Sequence, residues 1–132
     1  MLNVDCIYMH IIALDIGMKH TGVAYYFDET NIAMPLDTID HKSDNELIEA
    51  IKGIASERDC QKLIIGLPLL SSGKVGEQAE YTKSIADILK NDGFEVNMID
   101  ERYTTPKTRD CDPNAHSAVK ILNIYLEMSE IS

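Results

Sequence analysis

Acidic residues stand in three separate segments of the chain, where their types suit metal-dependent chemistry. The first segment begins at Asp15, the second holds Asp100 and Glu101, and the third holds Asp110 and Asp112. Carboxylate oxygens are the ligands that Mg²⁺ and Mn²⁺ prefer in proteins. Two such ions activate a water molecule and stabilise the leaving oxygen in phosphodiester hydrolysis. If the fold brought these segments together, they would form a site for cleaving phosphodiester bonds.

Basic and hydroxyl residues close to these acids are suited to binding phosphate. Arginine pairs with phosphate oxygens in a bidentate manner, and threonine hydroxyls donate hydrogen bonds to them. The candidate phosphate-binding residues are Lys19, Arg102, Thr104, Thr105, Lys107 and Arg109. Each acidic segment also has a plain structural interpretation. Asp15 and Gly17 fit an ordinary turn, residues 100–102 fit an exposed charged loop, and Asp112 fits a helix N-cap.

The elements that must position these residues follow from hydrophobic periodicity. Five segments carry the apolar, β-branched residues typical of strands, and three carry apolar residues at helical spacing. In the second helical segment Ile88 is predicted to face inward with its apolar neighbours. Gly93 is predicted to stop that helix as its C′ residue. The predicted strands are residues 7–15, 21–27, 32–39, 62–67 and 94–100. The first predicted helix starts after Ser43, the second covers residues 77–91, and the third runs from Pro113 to about Met128.

The order of these elements, βββαβαβα, predicts an α/β fold. The short turns between the first three strands require antiparallel pairing, whereas helical crossovers imply parallel pairing for the last two. Pro35 favours an edge position for the third strand. The result is a mixed five-stranded sheet flanked by helices, as in the ribonuclease H-like fold. In the strand order 3-2-1-4-5, strands one and five lie roughly 10 Å apart, with the strand ending at Gly66 between them.

Length, composition and charge narrow the classes of protein. The 132 residues, 45% of them hydrophobic and 26% charged, predict one globular domain over 1–132. The net charge of −10 argues against a protein that coats nucleic acid, but it leaves room for an enzyme that acts on nucleic acid at one site. No apolar run approaches the roughly 20 residues of a membrane helix, and the N-terminus lacks the positive charge of a signal peptide. We therefore expect a cytoplasmic protein without a membrane partner.

Four segments in the same order resemble the motifs of a known family. They are ALDIGMKHTGVA at 13–24, IIGLPL at 64–69 with the glycine-rich segment 73–80, IDERYTT at 99–105, and the apolar helix from 117 to 126. Together they resemble the YqgF family, described as Holliday junction resolvases and as pre-16S rRNA nucleases. The similarity covers residues 9 to about 127. Residues 1–8 precede the family's usual start, so Met9 is an alternative initiator.

The resemblance implies the ribonuclease H-like fold, metal-dependent nuclease activity and a role in maturing the 5′ end of small-subunit rRNA. It implies Mg²⁺ or Mn²⁺ as cofactor and precursor rRNA as partner. The family's first catalytic acid falls on Asp15 and its second on Glu101. For the third, an aspartate early in the last helix, a gap-free match gives Asn114, and Asp112 is the alternative. The family usually has a basic residue where His20 stands.

Three other functions stay open from the sequence. Asn114 and the negative charge favour a non-catalytic nucleic-acid-binding module of the same fold. A Holliday junction resolvase acting on DNA would need a symmetric homodimer for paired cuts, and no dimer face is evident. An actin-like or sugar-kinase ATPase also opens with an Asp-Ile-Gly turn, but such enzymes close two domains over ATP, and 132 residues hold only one.

Overall fold

The computed structural model describes residues 10–28, 32–68, 72, 76–100 and 113–131, without the side chains of residues 32, 113–116 and 129–131. The described chain has the predicted order of elements. The strands are β1 (His10–Asp15), β2 (His20–Phe27), β3 (Ile32–Asp40), β4 (Lys62–Leu67) and β5 (Glu95–Asp100), and the helices are α1 (Asp44–Glu57), α2 (Glu77–Asn91) and α3 (Pro113–Ile131). Residues 7–9 of the predicted first strand lie outside the described residues.

The five strands form one mixed sheet in the order β3-β2-β1-β4-β5, which confirms the predicted α/β fold. β2 pairs antiparallel with both β1 and β3. β4 pairs parallel with β1 and with β5. β3 is an edge strand, as Pro35 indicated, because proline has no backbone N–H to donate to a neighbouring strand. β1 and β5 are therefore separated by β4.

Helices cover both faces of the sheet, and side chains alternate between the two cores. Ile12 and Leu14 of β1 pack with α1 and α2. Ile11 and Ala13 pack instead with α3. Because successive residues of a strand point to opposite faces, odd-numbered residues of β1 face α3. The prediction for Ile88 is wrong: its side chain is 40% exposed, since Ile85 and Leu89 already fill the inward stripe of α2.

The helix ends follow local signals in the sequence. The Ser43 side chain caps α1 by accepting from the backbone N–H of Glu46, and the Glu46 carboxylate accepts from the backbone of Lys42. Gly93 ends α2 with a φ of 103°, and the backbone N–H groups of Gly93 and Phe94 bond back to the last turn. This is a Schellman motif, in which a left-handed residue satisfies the carbonyls at the helix end. None of the described helices is long and apolar enough to cross a lipid bilayer.

Candidate active site

Asp15 is the last residue of β1 and lies at the carboxyl end of the sheet. By the alternation of the strand it belongs to the α3 face. Its cross-strand partner on β2 is Gly22. On the other side Leu14 pairs with Ile65, so the next position along β4, level with Asp15, is Gly66. Because both neighbours are glycines, no side chain of β2 or β4 stands directly beside the half-buried Asp15 carboxylate.

Ser117, near the start of α3, gives the Asp15 carboxylate a hydrogen bond from its hydroxyl. Burial raises the pKa of Asp15 above its usual value of 3.8, and the Ser117 bond lowers it by a smaller amount. The net rise means that the surroundings in the described part of the chain do not fully compensate the negative charge of the carboxylate. A cation bound at the carboxylate would supply that compensation, so Asp15 fits the role of a metal ligand.

The end of β5 lies across β4 from Asp15, at a distance of two strand spacings, roughly 10 Å. Ile99 pairs with Gly66 and packs on the α3 face, the face to which Asp15 belongs. Asp100 follows in the alternation and falls on the opposite face, with Met98. Of the two adjacent predicted acids, Asp100 therefore does not share the face of Asp15.

Most of the other predicted site residues belong to the segment 101–112, which lies outside the described residues. These are Glu101, Arg102, Thr104, Thr105, Lys107, Arg109 and Asp112. The start of α3 at Pro113 agrees with the predicted helix start. Within the described ranges no group of three or more histidine, cysteine or acidic residues is placed to hold a metal.

Gln78 connects the start of α2 to the turn that follows Asp15. Its side-chain amide donates a 2.8 Å hydrogen bond to the backbone carbonyl of Ile16. In the same turn, a Cβ on Gly17 would collide with the carbonyl oxygen of His20, so this position requires glycine. Gln78 lies within the glycine-rich segment 73–80, but the sequence indicates no role for it, because its partner is 62 residues away.

Lys19, a predicted phosphate-binding residue, is exposed in the turn between β1 and β2. Its backbone carbonyl accepts a 2.9 Å hydrogen bond from the backbone N–H of His41. His20 follows, and its Nδ1 lies 2.7 Å from the Asp40 carboxylate. The side chain at position 20, where the family usually has a basic residue, is therefore held by an acid of the neighbouring strand.

The motifs of the chain extend to a match with a known family over most of its length. Residues 9–128 match the family model RuvX, described as Holliday junction resolvase. The chain belongs to the RuvX family. This agrees with the resemblance seen in the motifs, because a curated relative from Deinococcus radiodurans is named "Ribonuclease YqgF". It is 28% identical over 88% of this chain and 86% of its own length.

Other curated relatives carry a name that refers to RNA. A protein of Sulfurihydrogenibium sp. is 35% identical over 92% of this chain and 92% of its own length, and is named "Putative pre-16S rRNA nuclease". A protein of Chloroflexus aurantiacus with the same name is 38% identical over 72% of this chain, which spans 63% of that relative. At the level of the family, the names support nuclease activity.

Solved structures show the same fold at low sequence identity. RuvC of T. thermophilus in complex with a Holliday junction substrate superposes with a TM-score of 0.66 at 10% identity, over 92% of this chain and 96% of RuvC. The fowlpox virus Holliday junction resolvase gives 0.52 at 13% identity, over 92% and 99% of the two chains. The RuvX chain therefore has the ribonuclease H-like fold of the RuvC resolvases.

Proposed function

We propose that this RuvX protein is a Mg²⁺- or Mn²⁺-dependent nuclease that hydrolyses phosphodiester bonds in structured RNA, with precursor 16S rRNA as its substrate. The names of its curated relatives support the choice of RNA. The proposed site is the carboxyl end of the sheet beside Asp15. We further propose that residues 1–132 act as one domain, with 1–8 as an extension, in the cytoplasm.

The observation that carries this proposal is the setting of Asp15. It is half-buried at the carboxyl end of a central strand, between two glycines, with a hydroxyl donor that orients it. A structural aspartate in a turn would be exposed and its pKa would not be raised by burial. The two glycines carry no side chain that would compete with a phosphate and its counter-ion for the place beside Asp15.

In the proposed site Asp15 holds the metal with Glu101 and Asp112, and Asn114 is the alternative to Asp112. When bound, the metal supplies an activated water and stabilises charge on the leaving oxygen. Ser117 keeps the Asp15 carboxylate in one orientation. Gln78 fixes the backbone just beyond it. The phosphates of the RNA strand are bound by basic and hydroxyl residues, namely Lys19, Arg102, Thr104, Thr105, Lys107 and Arg109.

The test is cleavage of a labelled precursor rRNA that carries its 5′ leader, with Mn²⁺, Mg²⁺ or EDTA. We expect cleavage that requires a metal and is lost in Asp15→Asn. Asp87→Asn is the matched control, because Asp87 is an exposed acid on α2. Metal-dependent cutting that persists in Asp15→Asn would refute the proposed site. RNA binding without any cutting would favour the non-catalytic module.

The family description favours one second candidate, a Holliday junction resolvase acting on DNA. A resolvase makes paired cuts, so it would act as a symmetric homodimer. The same preparations should be offered a labelled four-way DNA junction. Symmetric cuts in the junction together with an intact precursor rRNA would replace the RNA proposal with this one.

A further inference from the structure

A cleft of about 720 Å³ opens at the end of the sheet where β1 ends and β2 begins. One wall is the turn between β1 and β2, which begins directly after Asp15. The other wall is the segment that leads from β3 into α1. The residues that line the cleft are Met18, Lys19, His20, Asp40, His41, Lys42 and Glu46. The cleft is therefore at the same end of the sheet as Asp15.

The acidic and basic side chains of this cleft differ in their contacts. Both of its acids have partners: Asp40 contacts the His20 ring at 2.7 Å, and Glu46 accepts a 2.6 Å hydrogen bond from the Lys42 backbone. Lys19 and Lys42 are exposed, and no carboxylate among the described residues lies within ion-pair distance of either ammonium group. The carboxylates of Asp40 and Glu46 keep their negative charge, but neither pairs with an ammonium group, so Lys19 and Lys42 are two cationic side chains of one cleft that can turn towards an anion.

The backbone holds the two lysine-bearing segments together before any ligand binds. The His41 N–H donates to the Lys19 carbonyl at 2.9 Å. The buried His41 ring is fixed in turn, since its Nε2 lies 3.0 Å from the Thr21 hydroxyl. Little conformational freedom of the backbone would be lost on binding, which favours recognition.

We propose that this cleft is a second contact for the RNA strand, in which Lys19 and Lys42 together hold a backbone phosphate next to the one that is cleaved. Met18, whose side chain is 54% exposed at the rim, offers apolar surface to the adjoining sugar or base. The inference rests on the proposed function, because it assigns the path of that same substrate. It adds Lys42 to the phosphate-binding residues, although Lys42 belongs to none of the sequence motifs.

The test is the salt dependence of RNA binding. Neutralising one phosphate contact lowers the slope of log affinity against log salt concentration by about 0.7 to 0.9. In an Asp15→Asn background, which binds without cutting, Lys42→Gln should lower the slope by that amount and weaken binding roughly two- to fivefold. The probe is the 5′-leader precursor rRNA, titrated over about 50 to 200 mM KCl.

The matched control is Lys90→Gln, which makes the same charge change at the far end of α2 and should leave the slope unchanged. Lys42→Arg should restore binding. If both lysines hold one phosphate, the losses of binding free energy in Lys19→Gln and Lys42→Gln should sum to more than the loss in the double variant.

An unchanged slope in Lys42→Gln, in a protein that still binds RNA through Lys19, overturns the inference and leaves the nuclease proposal intact. An equal decrease of the salt slope in Lys42→Gln and Lys90→Gln also overturns the inference, because such a decrease would report only the change in net charge. Failure of both the unmutated protein and the Asp15→Asn variant to bind the RNA overturns the proposed function as well.

Discussion

The Ser117 hydroxyl on α3 donates a hydrogen bond to the Asp15 carboxylate at the end of β1. The two residues are about a hundred positions apart in the chain, and the bond ties the last helix to the central strand of the sheet. It favours the ionised form of Asp15, which is the form that binds a metal. Ser117→Ala should therefore raise the pKa of Asp15 further. Because the carboxylate also loses the contact that orients it, Mn²⁺ binding should weaken about tenfold. Calorimetric titration with Mn²⁺ checks the affinity, and carboxyl NMR titration checks the pKa.

Ser117→Thr is the control for that change, because it retains the hydroxyl. It should keep the affinity near that of the parent protein. Equal Mn²⁺ affinities in the parent and in Ser117→Ala would show that the hydroxyl does not act on the carboxylate.

Asp15 is expected to lower the stability of the fold at neutral pH. The pKa of Asp15 is raised in the folded state, so above pH 3.8 the native protein binds more protons than the unfolded chain. The free energy of unfolding therefore falls as the pH rises from 3.8 to the raised pKa of the folded protein. Asp15→Asn removes this loss and should increase the free energy of unfolding at neutral pH, while abolishing cleavage. Urea unfolding at neutral pH and near pH 4 measures the difference, which should shrink at the lower pH. A less stable variant at neutral pH would contradict the prediction.

Gln78 is expected to be a positioning residue for the turn after Asp15. Gln78→Met keeps the size of the side chain but loses the 2.8 Å bond to the Ile16 carbonyl, at a cost of about 1 kcal/mol. We expect kcat to fall more than KM rises, because the turn holds a reacting group rather than the bulk of the substrate. Ser84→Ala on the same helix removes an exposed side-chain bond and serves as control. Matching kcat values in the two variants would argue against a positioning role.

His41 should make stability depend on pH. Burial lowers its pKa below 6.5, against the opposing effect of Glu46. The unfolded chain therefore takes up the proton more readily than the folded protein. His41 makes its full contribution to the free energy of unfolding above pH 6.5, and this contribution is lost as the pH falls below 6.5 towards the lower pKa of the folded protein. Unfolding of the parent and of His41→Gln between about pH 7.5 and 5.5 should show their stabilities converging as the pH falls. A constant difference would contradict this.

Three glycines should respond to alanine in different ways. Gly17→Ala forces a methyl group onto the His20 carbonyl and should cost about 2 kcal/mol and most of the activity. Gly53→Ala, in the exposed middle of α1 with open space around it, should stabilise by about 0.5–1 kcal/mol. Gly93→Ala should destabilise by about 1 kcal/mol, because φ is +103° there. Thermal unfolding ranks the three, and a stabilising Gly17→Ala would refute the assigned turn.

Local patterns were sufficient to predict the elements of the fold. The strand at 62–67 and the helix at 77–91 were predicted to the residue. Gly93 was predicted as the residue that stops α2, because only glycine adopts a left-handed conformation without cost. The edge position of β3 followed from Pro35. The exception, Ile88, shows that helical periodicity alone does not decide which of several apolar residues obtains space in the core.

The candidate site was predicted less completely. The motifs indicated the acid at position 15, but its glycine neighbours depend on the register between strands, which one residue of slip would change. The register also separates Asp100 from the face of Asp15. Whether Glu101 and Asp112 complete the site stays a prediction, since both lie outside the described residues.

The sequence by itself determined the order of strands and helices and the family, because these depend on periodicity, turn residues and short motifs. It also indicated Asp15 as a candidate site residue. Only the tertiary structure decided that Ser117 orients Asp15, that Gln78 holds its turn, and that Lys42 lies beside Lys19. These contacts join residues far apart in the chain. They arise when helices dock on the two faces of the sheet and when β3 folds back beside β2, so no local pattern records them.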